Sequence, residues 1–365
     1  MLKTLDRYIL RGFFTNFLIA LSVMVGLYVV LDLFVNLDEF TEVKSQTTME
    51  TIRKIIDFYG YNLFLYFAQL TGVIILMAAC FTLGRFYRTN ELTAVMASGT
   101  SLYRVAAPVV LAALAMNAFW FIDQEVIIPS IAGKLSRKHA DIEGRLSYAV
   151  WFQPDRNNGL LSAAMFSPRT REMRGVIIMR RDAKDRMAEV IRADRARWDE
   201  ERQIWHLENG HRMKLGVNVA AGPAVEDLGR EEVSEYASDL TPKELGLLQA
   251  TMWTNFLSLP ELTKLQQRFS GAGANEFIKV KHKRLTTVLM NMILLCLGIP
   301  FFLNRERPSV LVAGGKCLLV CGACYAFTFI SQGLEMPALG PALPAWLAVL
   351  VFGPIAVLVL DSIKT

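Results

Sequence analysis

The chain reads as a polytopic α-helical membrane protein with six transmembrane helices and an all-β domain inserted between the third and the fourth. Three observations predict this. Its 365 residues are 53% hydrophobic, with a mean hydropathy of +0.33. The apolar residues are concentrated in 1–128 and 285–365, whereas 129–284 is charged and turn-rich, as in a soluble domain. Each apolar part also breaks into three runs long enough to cross a bilayer, which takes about 20 residues.

The predicted spans are approximately 13–37, 58–83, 104–128, 285–303, 309–331 and 344–361. The first is too long for a signal-peptide core and lacks a small-residue cleavage site, so no cleavable leader is expected. Lys3, Arg7 and Arg11, then Arg85, Arg88 and Arg104, then Arg305 and Arg307, and finally Lys364 all fall on one side of a six-span arrangement. Basic flanks mark the cytoplasmic side, while long translocated domains count little, so 129–284 is expected on the outer side. The first outer loop is acidic (Asp38, Glu39, Glu42). A net charge of +5 does not call for nucleic acid.

The polar island between spans two and three, Gly84–Arg104, reads GRFYRTNELTAVMASGTSLYR. Leu92, Val95, Met96, Leu102 and Tyr103 recur at spacings that put most of them on one face of a short helix. Asn90 is the expected N-cap, Glu91 suits the positive helix N-terminus, and Gly99 supplies a stop. An amphipathic helix held between two spans can lie on the membrane surface and be pushed by a soluble partner.

In the insert, a helical continuation is expected over 130–143. Leu160–Phe166, Gly175–Arg181, Ala188–Trp198 and Gln203–Leu207 then alternate or are β-branched, separated by DRNNG, DAKD, DEER and ENG. Short antiparallel strands without intervening helices suggest a sandwich or jelly roll. After Thr241 the chain turns helical and returns to the membrane surface.

Several features mimic chemistry. Cys317, Cys321 and Cys324 have iron–sulfur spacing but fall at i, i+4 and i+7 of an apolar helix, with Ala313 on the same face, which is a packing stripe. The string AGGKC at 313–317 lacks the earlier glycine and final Ser/Thr of a phosphate loop. All five cysteines lie in apolar segments, so the insert uses no disulfide even in an oxidising space. Lys316 is read as snorkelling from its span, and His206 and His211 as solvated surface groups. Lys279, Lys281, His282, Lys283 and Arg284, just before span four, are either a snorkelling collar or a site for anionic lipid headgroups. No nucleophile–base pair is visible, so no enzyme activity is expected.

Several segments, taken in order, resemble the lipopolysaccharide-export permeases LptF and LptG. LDRYILRGFF at 5–14 is similar to that family's N-terminal membrane-surface helix, and ELTAVMASGTSLYRVAAPVV at 91–110 to its link between spans two and three. VIIP at 126–129 resembles the exit from span three, and VIRADRARWDEERQIWHLENG at 190–210 a pair of its strands. FIKVKHKRLTTVLMNMILLCLGIP at 277–300 resembles the entry into span four, and PALPAWLAVLVFGP at 341–354 the last span. Members of the G type carry lysines near the outer end of span one, where this chain has Asp32, Asp38, Glu39 and Glu42 with Lys44 nearby. The stretch 221–240 lies outside the resemblance.

The resemblance implies an inner-membrane permease subunit with a periplasmic jelly roll at 129–284 between transmembrane halves 1–128 and 285–365. It implies pairing with a second related permease subunit and a dimeric cytosolic ATPase. ATP and magnesium would be bound by that partner and no cofactor by this chain. The cargo would be lipopolysaccharide or a related glycolipid, handed to a periplasmic jelly-roll bridge protein. Glu91, Leu92, Val95 and Met96 would couple to the ATPase. Spans one and five would gate lipid entry, with Phe34, Phe67, Phe327, Lys281, Lys283 and Arg284 as lipid contacts. The alternatives are a mechanotransmission-type ABC permease subunit, or a membrane receptor or scaffold with a periplasmic sensing domain.

Overall fold

The computed structural model describes residues 4–41, 48–135, 147–155, 159–182, 187–217, 225–247, 253–268, 272–303, 309–334 and 340–361. Among them are six helices long and apolar enough to cross a membrane, within Thr4–Asn36, Ile55–Arg88, Leu102–Leu135, Ala274–Phe301, Leu311–Gly333 and Leu343–Asp361. Helix α1 (Thr4–Thr41) has 38 residues, about 57 Å at 1.5 Å per residue, and so outreaches a hydrocarbon core of about 30 Å. Helix α2 (Thr48–Arg88) is followed by the small helix α3 (Glu91–Ala97) and by α4 (Leu102–Ile122). A π-helical turn, Asp123–Ile127, then leads into α5 (Ile128–Leu135). The helix expected from residue 130 therefore starts at Ile128, and its continuation beyond 135 lies outside the described residues.

Eight strands follow: β1 (Tyr148–Asp155), β2 (Gly159–Ser167), β3 (Glu172–Arg181), β4 (Met187–Asp199), β5 (Ile204–Glu208), β6 (His211–Val217), β7 (Val225–Glu232) and β8 (Glu235–Tyr236). They form one antiparallel sheet in the order β1-β2-β3-β4-β5-β8, with β6 pairing both β4 and β7. Neighbours in sequence are mostly neighbours in space, as in a meander. β5 and β6 run along the same side of β4 and are separated by a kink at Asn209, which has φ 53°, and Gly210. Any side chain at Gly210 would strike the carbonyl of Val233, and that carbonyl belongs to the matching break between β7 and β8. The two long strands therefore bend together.

One face of the sheet is apolar. Val150, Leu161, Phe166, Met173, Val176, Ile178, Ile191, Ala193 and Trp205 pack with Leu240 and Leu245 from the segment that follows β8. Trp205 donates from Nε1 to the Leu240 carbonyl at 3.0 Å, and Tyr148 donates its hydroxyl to the Leu245 carbonyl at 2.6 Å. That segment enters α6 (Pro242–Leu247) through a capping box. Thr241 Oγ1 accepts from the Glu244 amide, and Glu244 Oε2 accepts from the Thr241 amide.

A 3₁₀ turn (Trp253–Phe256), α7 (Leu259–Arg268), α8 (Ala272–Gly298), α9 (Val310–Gly333) and α10 (Leu343–Asp361) complete the chain. The largest apolar core joins α1, α2, α4, α8, α9 and α10. Polar glue holds its centre: Asn291 Nδ2 donates to Asn117 Oδ1 at 2.9 Å, and Asn291 sits where a side chain at Gly72 would be. The cysteine stripe is buried as its spacing implies, but it also reaches across helices. Cys317 Sγ lies 3.6 Å from Cys80 Sγ on α2 and 3.9 Å from Cys321 Sγ. The hydrophobic windows of α2, α4 and α8 are 44–50% buried, against 11% for α1 and 22% for α9 and α10. The latter three therefore present much of their apolar surface outward.

Candidate functional site

Two polar nodes flank the apolar bundle, one at each end of it. The first surrounds α3. Asn90 holds the N-cap position, its carbonyl accepting from the Ala94 amide at 3.3 Å, but its backbone is left-handed (φ 57°, ψ 13°) and its side chain makes no capping bond. It is the sharp corner between α2 and α3, a conformation asparagine tolerates better than most residues. Gly99, at φ 75°, does end the helix. Its amide donates to the Met96 carbonyl at 2.9 Å and the Thr100 amide to the Val95 carbonyl at 3.3 Å, which is the Schellman pattern.

Glu91 accepts from Thr89 Oγ1 at 2.8 Å and, in a long hydrogen bond of 3.4 Å, from the Tyr8 hydroxyl of α1. Tyr8 also stands edge-on to Phe86, with ring centroids 5.4 Å apart. Arg104, at the start of α4, meets Asp6 at 3.5 Å, and Tyr103 donates to the Leu360 carbonyl at 3.1 Å. Thus α3 is tied to α1 and α2, and the start of α4 to α1 and α10, by a few partly exposed polar contacts. Leu92 is only 3% exposed and belongs to the chain's own core, so it anchors α3 and presents no surface of its own. Val95 and Met96 are half-buried against that core, while Ala94, Ala97 and Ser98 are exposed.

The second node lies where α4 gives way to the π turn. Arg284 donates to Glu125 Oε1 at 2.8 Å and to the Asn255 carbonyl at 3.1 Å. Glu125 Oε2 accepts from the Leu259 amide at 2.8 Å, and Gln124 Nε2 donates to the Asn255 carbonyl at 2.8 Å. These bonds lock α8, the 3₁₀ turn and α7 onto the end of α4. Beside them Asp123 is fully buried, and neither of its carboxylate oxygens has a hydrogen-bond partner among the described residues.

The basic cluster at 279–284 does not precede a helix. Because α8 begins at Ala272, the cluster lies within the helix, and the helical phase sends each residue elsewhere. Arg284 points inward with Phe277 and Val280 and is consumed by the ion pair, so it offers nothing to a lipid headgroup. Lys281 donates to Gln266 on α7 at 3.2 Å. His282 Nδ1 accepts from the indole of Trp346 at 3.1 Å. Lys279 and Lys283 line a cavity of about 250 Å³ with Thr254, Asn255, Glu276 and Gln332.

The proposed apolar contacts also separate. Phe34 is 83% exposed on α1, whereas Phe67 is buried against Phe119. Phe327 is half-buried, edge-on to Phe352 of α10. Sequence reasoning missed Glu125 and Asp123. The only signal was two acidic residues closing an apolar run.

In the sheet, Asp199 Oδ1 accepts from the backbone amides of Arg202 and Glu201, and Oδ2 lies 3.2 Å from His206 Nε2. The Arg202 amide, then His206 and the Glu201 amide, hold this carboxyl below the usual carboxylate range.

Six apolar helices, a short helix set between the second and third, and a sheet inserted between the third and fourth define a multi-pass membrane protein with one inserted β domain. The description "Lipopolysaccharide export system permease LptF/LptG" belongs to a family model that matches residues 7–361, nearly the whole chain, and the protein is a member of that family. It is therefore a multi-pass inner-membrane protein of lipopolysaccharide transport. A comparison with curated proteins finds no match.

Proposed function

We propose that this chain is the permease subunit of an ATP-driven exporter that extracts lipopolysaccharide or a related glycolipid from the inner membrane and passes it to a periplasmic bridge protein. The observation that carries the proposal is the position of α3. It interrupts two spans and holds on to α1 and α2, and the polar contacts that tie it and the start of α4 are weak enough to yield when pushed. A dimeric cytosolic ATPase, which binds the ATP and magnesium, is the pushing partner. Glu91 with the exposed edge of α3 is its point of contact, and Val95 and Met96 stiffen the helix from behind.

Because spans alternate in direction, the connection holding α3 and the one holding the sheet lie on opposite sides of the membrane. The basic flanks support a cytoplasmic α3, and hence a periplasmic sheet over 129–284 serving as the jelly-roll-type receiver of lipid. The outward apolar faces of α1 and α9 suit lateral gates against a second, related permease subunit. Phe34 and Phe327 meet acyl chains there, and Lys281 and Lys283 meet phosphates near the outer surface.

Purification with natural partners tests this. The expected result is a co-purifying ATPase, a second permease chain and bound glycolipid. An ATPase without lipid would favour a mechanotransmission subunit, and neither would favour a receptor or scaffold.

A further inference from the structure

We infer that a groove between the first two membrane helices, beside α3, is a binding site for the phosphate of an anionic phospholipid in the leaflet that borders α3. The groove has a volume of about 250 Å³ and is lined by Tyr8, Arg11, Gly12, Thr15, Asn16, Thr82, Arg85 and Phe86. Arg11 and Arg85 are exposed, and neither guanidinium has an ion-pair or hydrogen-bond partner among the described residues. The groove floor is fixed: Asn16 Nδ2 donates to Thr82 Oγ1 at 2.9 Å, and Thr82 Oγ1 donates to the Ala78 carbonyl at 2.7 Å. Gly12 faces Thr82 across the two helices, where a Cβ would stand 3.6 Å from the threonine methyl, an ordinary contact. Two exposed arginines lining one groove beside hydroxyl and amide groups are suited to phosphate oxygens.

The surroundings select a lipid over a free anion. Arg11, Phe14 and Leu18 follow one another at i, i+3 and i+7 on α1, and Phe81 lies one turn from Arg85 on α2. Phe14, Leu18 and Phe81 are all exposed. Each arginine thus stands where the apolar run of its helix ends, with unoccupied apolar surface on the membrane side to receive acyl chains. Tyr8 completes the connection, since it lines the groove and reaches Glu91 of α3. An occupied groove would hold α1 and α2 together directly behind the helix that the ATPase pushes.

The site is cytoplasmic on the orientation proposed above and rests on it in that respect. The test is native mass spectrometry of the full chain with its partner subunits, exchanged into mixed micelles of phosphatidylglycerol in phosphatidylcholine. Wild type should retain phosphatidylglycerol selectively. Each arginine near a membrane surface contributes about fivefold, so Arg11→Gln with Arg85→Gln should lower retention by about 25-fold. Arg88→Gln, which removes an exposed charge outside the groove, should change it little. Arg11→Lys with Arg85→Lys should retain part of the binding, and it tests the site if the glutamine pair fails to fold.

Equal retention in all variants, or an equal loss in Arg88→Gln, would overturn the site. Displacement of the lipid by millimolar inorganic phosphate would show a free-anion site and overturn the lipid assignment. A transport-competent complex that holds no phosphatidylglycerol defeats this inference alone, whereas a chain that binds the lipid but recruits no ATPase defeats the proposed function alone.

Discussion

Near the π turn, Glu125 and Arg284 meet at 2.8 Å with side chains 13% and 6% exposed, while beside α3, Asp6 and Arg104 meet at 3.5 Å with side chains 15% and 40% exposed. The first pair is surrounded by further bonds to Asn255 and Leu259; around the second lie a long Tyr8–Glu91 bond, a Thr89–Glu91 bond and one hydroxyl-to-carbonyl bond, all partly exposed. A desolvated, fully bonded ion pair is costly to break, whereas a solvated one contributes little. One end of the bundle is therefore fastened and the other is compliant. On the proposed function, with force entering from the α3 side, the fastened node would serve as the pivot.

The largest expected effect comes from breaking the pivot. Arg284→Met leaves Glu125 buried without its cation and should destabilise the chain by about 3–5 kcal/mol, read as a drop in thermal midpoint in detergent. Adding Glu125→Leu should recover most of that loss, because an apolar pair of similar volume is often neutral. Two residues away, Asp123 sharpens the contrast, being fully buried and without a hydrogen-bond partner among the described residues. Asp123→Leu removes a desolvated polar group and should raise stability by about 1–3 kcal/mol. A loss matching that of Arg284→Met would mean that Asp123 has a partner in the working complex.

At the compliant end, Asp6→Asn with Arg104→Gln should cost less than about 1 kcal/mol in the same unfolding assay. A larger cost would erase the distinction between the ends. The smallest effect lies in the sheet. The folded-state pKa of Asp199 is depressed, so its contribution is present above the ordinary carboxylate value, about 4, and is lost as the pH falls below it. The hydrogen-exchange protection factor across residues 199–206, taken against the intrinsic rate at each pH, should fall on acidification below about pH 4 in wild type and much less in Asp199→Asn.

How much of this the sequence disclosed follows from which forces are local. Six spans are legible because each carries its own continuous apolar run, and β2 to β5 because their apolar residues alternate between turn formers. β6 to β8 are not legible. HRMKLGV and VEDLGREE are polar, and part of their pairing runs through cross-strand contacts such as Arg212 with Glu231 at 3.6 Å. The α3 island could be found from its spacing and Asn90 does start it, but the conformation at that corner could not, because a side-chain-capping asparagine and a left-handed one look alike in sequence. Leu92 shares a periodicity with Val95 and Met96, and spacing alone does not say that it faces the chain's own core. The Glu125–Arg284 pair joins residues 159 apart, and no local pattern announces it. The same holds for the groove, where Arg11 and Arg85 come together only because α1 and α2 pack side by side.

The central claim is that force enters through α3, and Glu91 tests it most directly. The chain would be reconstituted with its ATPase and second permease subunit, and ATP-dependent release of lipopolysaccharide to a soluble acceptor followed alongside ATP hydrolysis. Glu91→Lys reverses the charge at the partly exposed start of α3, away from the buried core. The predicted result is a folded complex in which release falls far more than hydrolysis. Unchanged release per ATP hydrolysed would contradict the account.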